Sequence, residues 1–226
     1  LIRNAEVVGL FGQAEEFGIT ADNITYDFSK AIDRSRDVVS KLTSGIKLLL
    51  NRNKVEIFEG KGTLKDQHTV LVGDESISTE NIIVATGATF RELPGLPIDG
   101  EKVITSREAL ALREVPERAV IIGAGATGAE FSYIWRSYGA DVTLVELLPR
   151  LVPNEDEEIS RQLERSFAKQ GINSITGAKV DEIQINDTSV TVILTNESGT
   201  TEIICDKVLV AVGTQGNIAE IGLETL

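Results

Sequence analysis

The chain has 226 residues, with 22 Lys and Arg against 35 Asp and Glu, a formal net charge of −13. A balance this acidic excludes nucleic acid as a partner, because phosphate binding needs a basic face. Hydrophobic content of 42% suits a folded globular protein rather than a disordered one, and no apolar run approaches the roughly 20 residues of a membrane span.

Cys205 is the single cysteine, so no internal disulfide framework can form. No signal peptide opens the chain. These features predict a reducing compartment, the cytoplasm or, in a eukaryote, the mitochondrial matrix. There is no Met. The opening run Leu1–Val8 reads as helix with no Ser, Thr, Asp or Asn before it as a cap. The expectation is an internal piece of a longer protein.

Residues 1–17 read as a helix ending at Gly18. Residues 27–51 read as a second, long helix, with Phe28, Ile32, Val39, Leu42, Ile46 and Leu49 on one face. The period then shortens. Val55–Phe58, Thr69–Val72 and Ile82–Ala85 are predicted strands, punctuated by Gly60, Gly62, Gly73 and Gly87. Pro94-Gly95-Leu96-Pro97 is a rigid connector, and a domain boundary is expected near it. A short helix is predicted over Ser106–Leu112.

Arg118–Ile122 is a strand of the fully buried type. A glycine turn, a helix over Ala126–Tyr138 closed by Gly139, and a strand over Asp141–Glu146 follow, which together have the length of a βαβ unit. Residues 155–170 form a helix with Ile159, Leu163 and Phe167 on one face and acids at its start. Val180–Ile185, Ser189–Leu194 and Thr201–Cys205 predict an antiparallel meander. Lys207–Val212 is a last strand, ending at Gly213.

Gly123-Ala124-Gly125-Ala126-Thr127-Gly128 is a GxGxxG with a strand before it and a helix after it. The first glycine permits the tight turn. The second lets a pyrophosphate approach the backbone, and the third lets helix and strand pack closely. The amides of the first helical turn would face the phosphates. Glu146 ends the second strand 23 positions after Gly123, near the expected distance of about 20. A carboxylate there accepts hydrogen bonds from both ribose hydroxyls and repels a 2′-phosphate. No Arg follows Glu146 at the next two positions, so NAD is expected rather than NADP.

The chain resembles the pyridine-nucleotide–disulfide oxidoreductases, and most of all the dihydrolipoamide dehydrogenases among them. The matching segments are Gly60-Lys61-Gly62, Ile83–Ala88, Glu92-Leu93-Pro94-Gly95, Gly123–Glu130, Leu148–Pro153 and Val208–Gly213. They occur in the family's order across nearly the whole chain. The resemblance implies an α/β fold. Residues 1–113 would be part of an FAD domain of three-layer ββα type. Residues 114–213 would be a complete Rossmann-like NAD domain with an antiparallel meander, and 214–226 a return towards the FAD domain.

The resemblance also implies roles. Gly62 would lie against the FAD adenine, and Thr86, Gly87 and Ala88 would pass beside the FAD. Gly123, Ala124, Gly125, Ala126, Thr127, Gly128 and Ala129 would form the NAD pyrophosphate loop and the start of its helix. Glu130 would lie near the stacked flavin and nicotinamide, and Glu146 would bind the ribose. Val180 would touch the adenine, and Gly213 would approach the nicotinamide end. No catalytic residue and no metal ligand is assigned.

In the parent enzyme, dihydrolipoamide would reduce a disulfide, the disulfide the FAD, and the flavin NAD. The implied partners are a lipoyl group, the components of a 2-oxo acid dehydrogenase complex, and a second copy of the parent. The family's CxxxxC pair, its first GxGxxG and its His–Glu pair are not in this sequence. Thr214-Gln215-Gly216-Asn217 also departs from the Arg and Pro usual there. The chain alone is therefore expected not to turn over dihydrolipoamide and to hold FAD weakly or not at all. The alternatives are an NADH oxidase, metal-ion reductase or transhydrogenase of the same superfamily, or a non-catalytic NAD-binding module.

Other residues read more simply. His68 falls in a polar turn, Cys205 at the end of a strand, and Glu155–Glu158 at a helix start where acids suit the dipole. Trp135 is expected to pack on the Rossmann helix.

Overall fold

The computed structural model describes residues 1–91 and 94–226, the side chain of Thr225 excepted. Glu92 and Leu93, part of one matching segment, lie outside the described residues. In chain order the elements are α1 (Ile2–Gly12), α2 (Phe28–Arg52), β1 (Gly62–Asp66), β2 (Thr69–Val72), β3 (Glu75–Ser78), β4 (Ala88–Phe90) and β5 (Val103–Ile104). Then come α3 (Ser106–Ala109), β6 (Arg118–Ile122), α4 (Ala126–Ser137), β7 (Asp141–Val145), α5 (Glu157–Gln170) and β8 (Asn173–Ile175). The last are β9 (Lys179–Ile185), β10 (Val190–Asn196), β11 (Gly199–Cys205), β12 (Lys207–Val210) and β13 (Thr214–Gly216). The chain divides into two compact units. One comprises Leu1–Asp37 with Glu92–Gly213, the other Val38–Arg91 with Thr214–Leu226.

The first unit has three layers around a parallel sheet of order β5-β12-β6-β7-β8. Strand alternation builds the layers. Ala119 and Ile121 of β6, Val142 and Leu144 of β7 and Leu209 of β12 join one buried cluster with Phe28, Ile32, Phe131, Trp135 and Phe167 of the helices. Val120, Ile122, Val145, Val208 and Val210 point the other way, onto Ile183, Val190, Val192 and Leu194 of the meander. The meander pairs in the order β11-β10-β9. Both faces of the parallel strands are thus covered, which explains their unbroken apolar runs. Trp135 is fully buried, as expected.

Local chemistry sets the helix limits. Thr105 and Glu108 form a reciprocal capping box that starts α3. The Asp156 carboxylate accepts from Glu158 N–H at 2.8 Å and caps α5, whose C-terminus turns at Gly171 with φ +75°. The helix expected over residues 1–17 is shorter than expected. It ends at Gly12, and a 3₁₀ turn over Ala14–Phe17 leads to Gly18 at φ +70°. Gly9 and Gly12 lower helix propensity at the end where α1 stops.

In the second unit β1, β2 and β3 form an antiparallel sheet, and β4 pairs with β13. The strand expected at Thr69–Val72 is present as β2. Those expected at Val55–Phe58 and Ile82–Ala85 are not strands. Ile83 is 91% exposed. An apolar run becomes a strand only when a neighbour takes its N–H and C=O groups, and neither run has one among the described residues. The far half of α2 is likewise exposed at Val39, Leu42, Ile46 and Leu49, so only Phe28 and Ile32 of its predicted stripe are buried. No helix among the described residues is long and apolar enough to cross a membrane.

Cys205 is 1% exposed, and burial pushes its thiol up to about 11 from 9.0. The native state therefore favours the protonated thiol. The resulting stability is complete below pH 9 and is lost as pH rises through about 11. Folded protein at pH 8 should resist iodoacetamide and react on unfolding in urea, as mass spectrometry would register. Rapid alkylation of the folded chain would refute the burial.

Candidate functional site

The turn between β6 and α4 is built from two glycines that the protein itself requires and one that it does not. Gly123 has φ +98°, and a Cβ there would lie 2.5 Å from the carbonyl oxygen of Ala211. At Gly128 a Cβ would lie 1.9 Å from the carbonyl oxygen of Gly123. That contact is what brings α4 close onto β6. Gly125 differs. Its φ of −70° suits any L-residue, and a Cβ would meet nothing within 4 Å. Packing alone gives no reason for glycine there. Gly125 is the N-cap of α4 and offers no side chain to the first helical turn. Ala126 and Thr127 are exposed in that turn, and the first amides of a helix have no partner within it.

Glu146 follows β7 and is 8% exposed. Its Oε2 accepts from Ala124 N–H at 2.7 Å and its Oε1 from Leu148 N–H at 2.9 Å. Two charge-assisted bonds make the buried carboxylate tolerable. Each oxygen keeps a lone pair for a further donor such as a hydroxyl. Sequence reading assigned Glu146 to a ligand alone, whereas the structure also has it holding the glycine turn.

The remaining candidates are distributed as follows. Ala124 and Ala129 are buried, and Glu130 is exposed on α4. Val180, in β9, is half-buried against the meander-side core, opposite Leu194. Its strand begins beside the acid, since Ala178 N–H donates to the Glu146 carbonyl at 2.9 Å. Gly213 has φ +102° and is exposed, three residues after β12. The second unit holds Gly62, Thr86, Gly87 and Ala88, all at its surface.

Sequence reading missed two residues. Thr86 Oγ1 donates to the Asn217 carbonyl at 2.6 Å, and Asn217 Nδ2 returns a bond to the Thr86 carbonyl at 3.1 Å. Asn217 thus clasps the Thr86–Gly87 turn from 131 positions away, a separation no local pattern reveals. Val152 N–H donates to the Ala124 carbonyl at 2.8 Å, with Val152 at φ +40°. A β-branched residue avoids that region, so nothing in the sequence signals it.

His68 lies in the exposed turn before β2, its Nδ1 3.1 Å from the Thr79 carbonyl oxygen. Glu157 forms an ion pair with Arg161 at 3.1 Å.

A model of the pyridine nucleotide-disulphide oxidoreductases matches residues 7–226. The chain belongs to that family. It is similar to the dihydrolipoyl dehydrogenase of Mycobacterium tuberculosis, at 40% identity over 230 residues, covering 99% of this chain and 49% of that protein. The dihydrolipoyl dehydrogenase of Chlorobaculum tepidum is 40% identical over 232 residues, covering 100% of this chain and 50% of that one. Among solved structures, LpdA from M. tuberculosis superposes with a TM-score of 0.84 at 25% identity, over 99% of this chain and 50% of that one. The HOCl-induced flavoprotein disulfide reductase RclA from Escherichia coli superposes with a TM-score of 0.72 at 28% identity, over 86% and 44%. The chain spans about half the length of the curated relatives it matches. Parallel and antiparallel sheets in one α/β chain are as expected for this oxidoreductase family.

Proposed function

We propose that this chain is the NAD(H)-binding portion of an FAD-dependent oxidoreductase of the dihydrolipoyl dehydrogenase type. The observation that carries the reading is Gly125. The protein leaves open space where its Cβ would be, in a turn whose other two glycines are fixed by close packing. In this reading a pyrophosphate takes that space, an anion that the first-turn amides and the positive end of the helix dipole would hold. In this reading the free lone pairs of Glu146 take the ribose hydroxyls. Residues 114–213 are the NAD domain, 1–113 part of the FAD domain and 214–226 the return to it. Val180 flanks the adenine, and Glu130 and Gly213 lie towards the nicotinamide.

Bound FAD would relay electrons between a dithiol and the nicotinamide. Gly62, Thr86, Gly87 and Ala88 would meet it through exposed backbone. One cysteine cannot form the disulfide of such a cycle, so this chain alone forms no NADH from dihydrolipoamide and NAD. The proposed substrate of the longer protein is a lipoyl group, carried by a 2-oxo acid dehydrogenase complex in a reducing compartment, and the longer protein is a homodimer.

NADH titration followed by quenching of Trp135, the only Trp, tests the reading. NADH binds, and NADPH binds much more weakly, because Glu146 repels a 2′-phosphate. Equal affinity for both, or for neither, refutes the site. A second reading, another flavoprotein disulfide reductase, is favoured by the likeness to RclA. Sequencing the coding DNA on both sides decides between them. A CxxxxC pair upstream and a His–Glu pair downstream support the dihydrolipoyl type, and cysteines in another arrangement support the rival.

A further inference from the structure

We propose that Val152 is a positioning residue for the glycine turn, acting through its main-chain N–H to aim the Gly125 amide at the pyrophosphate. The inference rests on the NAD reading above and adds the device that orients the loop. Ala124 is held at both of its polar groups. Its N–H donates to Glu146 Oε2 at 2.7 Å, and its carbonyl accepts from Val152 N–H at 2.8 Å. No cis peptide bond occurs among the described residues. In a trans peptide the C=O of one residue and the N–H of the next point in opposite directions. Fixing the Ala124 carbonyl towards Val152 therefore turns the Gly125 N–H away from Val152. Fixing the Ala124 N–H towards Glu146 likewise turns the Gly123 carbonyl away from the acid, and that carbonyl lies against Gly128. Neither peptide can flip without breaking a bond. No group among the described residues accepts from the Gly125 amide, so it is left for a ligand.

The strap that carries Val152 is built to stay in place. Leu151 is fully buried, and its N–H donates to Glu164 Oε1 at 3.1 Å. The buried Ser160 hydroxyl donates to the Leu151 carbonyl at 2.7 Å. Arg150 Nη2 donates to the Pro153 carbonyl at 2.8 Å and the Glu155 carbonyl at 3.1 Å. Val152 keeps φ +40° within this frame. A strained β-branched residue persists only where its surroundings over-determine it, and such residues cluster at ligand clamps.

The test uses amide NMR of the chain with ADP as a pyrophosphate-bearing probe and adenosine as its control. The Val152 amide exchanges slowly, and ADP, but not adenosine, shifts the Gly125 amide. Val152→Pro removes the N–H and cannot adopt φ +40°. It should weaken ADP about tenfold, the loss of one charge-assisted hydrogen bond, and leave adenosine binding unchanged. A merely structural role would lower both ligands together. Val152→Gly keeps the N–H and accepts the backbone angle, so it should retain ADP affinity. If the proline variant does not fold, slow Val152 exchange with the ADP-specific Gly125 shift supports the proposal, and fast exchange or no shift overturns it. No ADP binding by the unsubstituted chain overturns the NAD reading and the strap's role together. ADP binding that the folded proline variant leaves undiminished overturns the strap's role alone.

Discussion

Gly125→Ala is expected to remove most of the NADH affinity while leaving the fold intact. The stability terms are small and opposed. Alanine restricts the unfolded chain and contributes about 0.4–1 kcal/mol where the native backbone suits it, as φ −70° does here. It is also a poorer N-cap than glycine, which costs about 0.5–1 kcal/mol. The net change should stay within about 1 kcal/mol, because the new Cβ meets no protein atom. The ligand term is large. A methyl group in the path of the pyrophosphate displaces it from the first-turn amides. Losing one or two charge-assisted hydrogen bonds at about 1.5–3 kcal/mol each lowers affinity about a hundredfold. Urea unfolding followed through Trp135, beside NADH titration, reads both. Unchanged NADH binding in a folded variant would show that the open space is not a ligand site.

Gly128→Ala is expected to give the opposite pattern, a large loss of stability. Its Cβ would lie 1.9 Å from the Gly123 carbonyl oxygen and 3.4 Å from Ile121 Cγ2. The first obstacle is backbone in the middle of the βαβ turn, so it cannot rotate away. The helix must move off the sheet. That separates Phe131, Ile134 and Trp135 from Ile121 and Leu144, which share one buried cluster. Overpacking a well-packed core costs about 1–3 kcal/mol or more. With backbone as the obstacle the upper end applies, so the first unit should lose about 3 kcal/mol. The urea midpoint of the Trp135 transition would fall sharply, and NADH binding would go with it. A Gly128→Ala protein as stable as the parent would disprove the close approach of α4 to β6.

The two substitutions separate what a GxGxxG pattern cannot separate by itself. The motif assigns the three glycines different roles, but the residue type is the same at each. Only the neighbours of each missing Cβ distinguish those that serve packing from the one that leaves room for a ligand.

Much of the first unit is legible in the sequence because its signals are local. The apolar runs Arg118–Ile122 and Lys207–Val212 mark buried strands, the second ending two residues early, at Val210. Gly139 and Gly171 mark helix ends, and the turns at Asn186-Asp187 and Glu197-Ser198 mark the meander. The glycine turn and Glu146 can be found by spacing, because one βαβ unit fixes the distance between a first strand and the end of the second.

Tertiary structure decided the rest, wherever the determining partner lies far along the chain. Val55–Phe58 and Ile82–Ala85 carry strand composition, but a strand needs a neighbour to take its hydrogen bonds, and neither has one among the described residues. The short edge strands β5 and β8 leave no sequence signal for the converse reason, since their neighbours β12 and β7 define them. Asn217 reaches Thr86 because β4 and β13 pair, and Val152 reaches Ala124 because the segment after β7 folds back over the turn. Sequence periodicity records which residues prefer burial within a few positions. It does not record which carbonyl a distant N–H will meet, because a hydrogen bond made by the backbone leaves no mark on the choice of side chain.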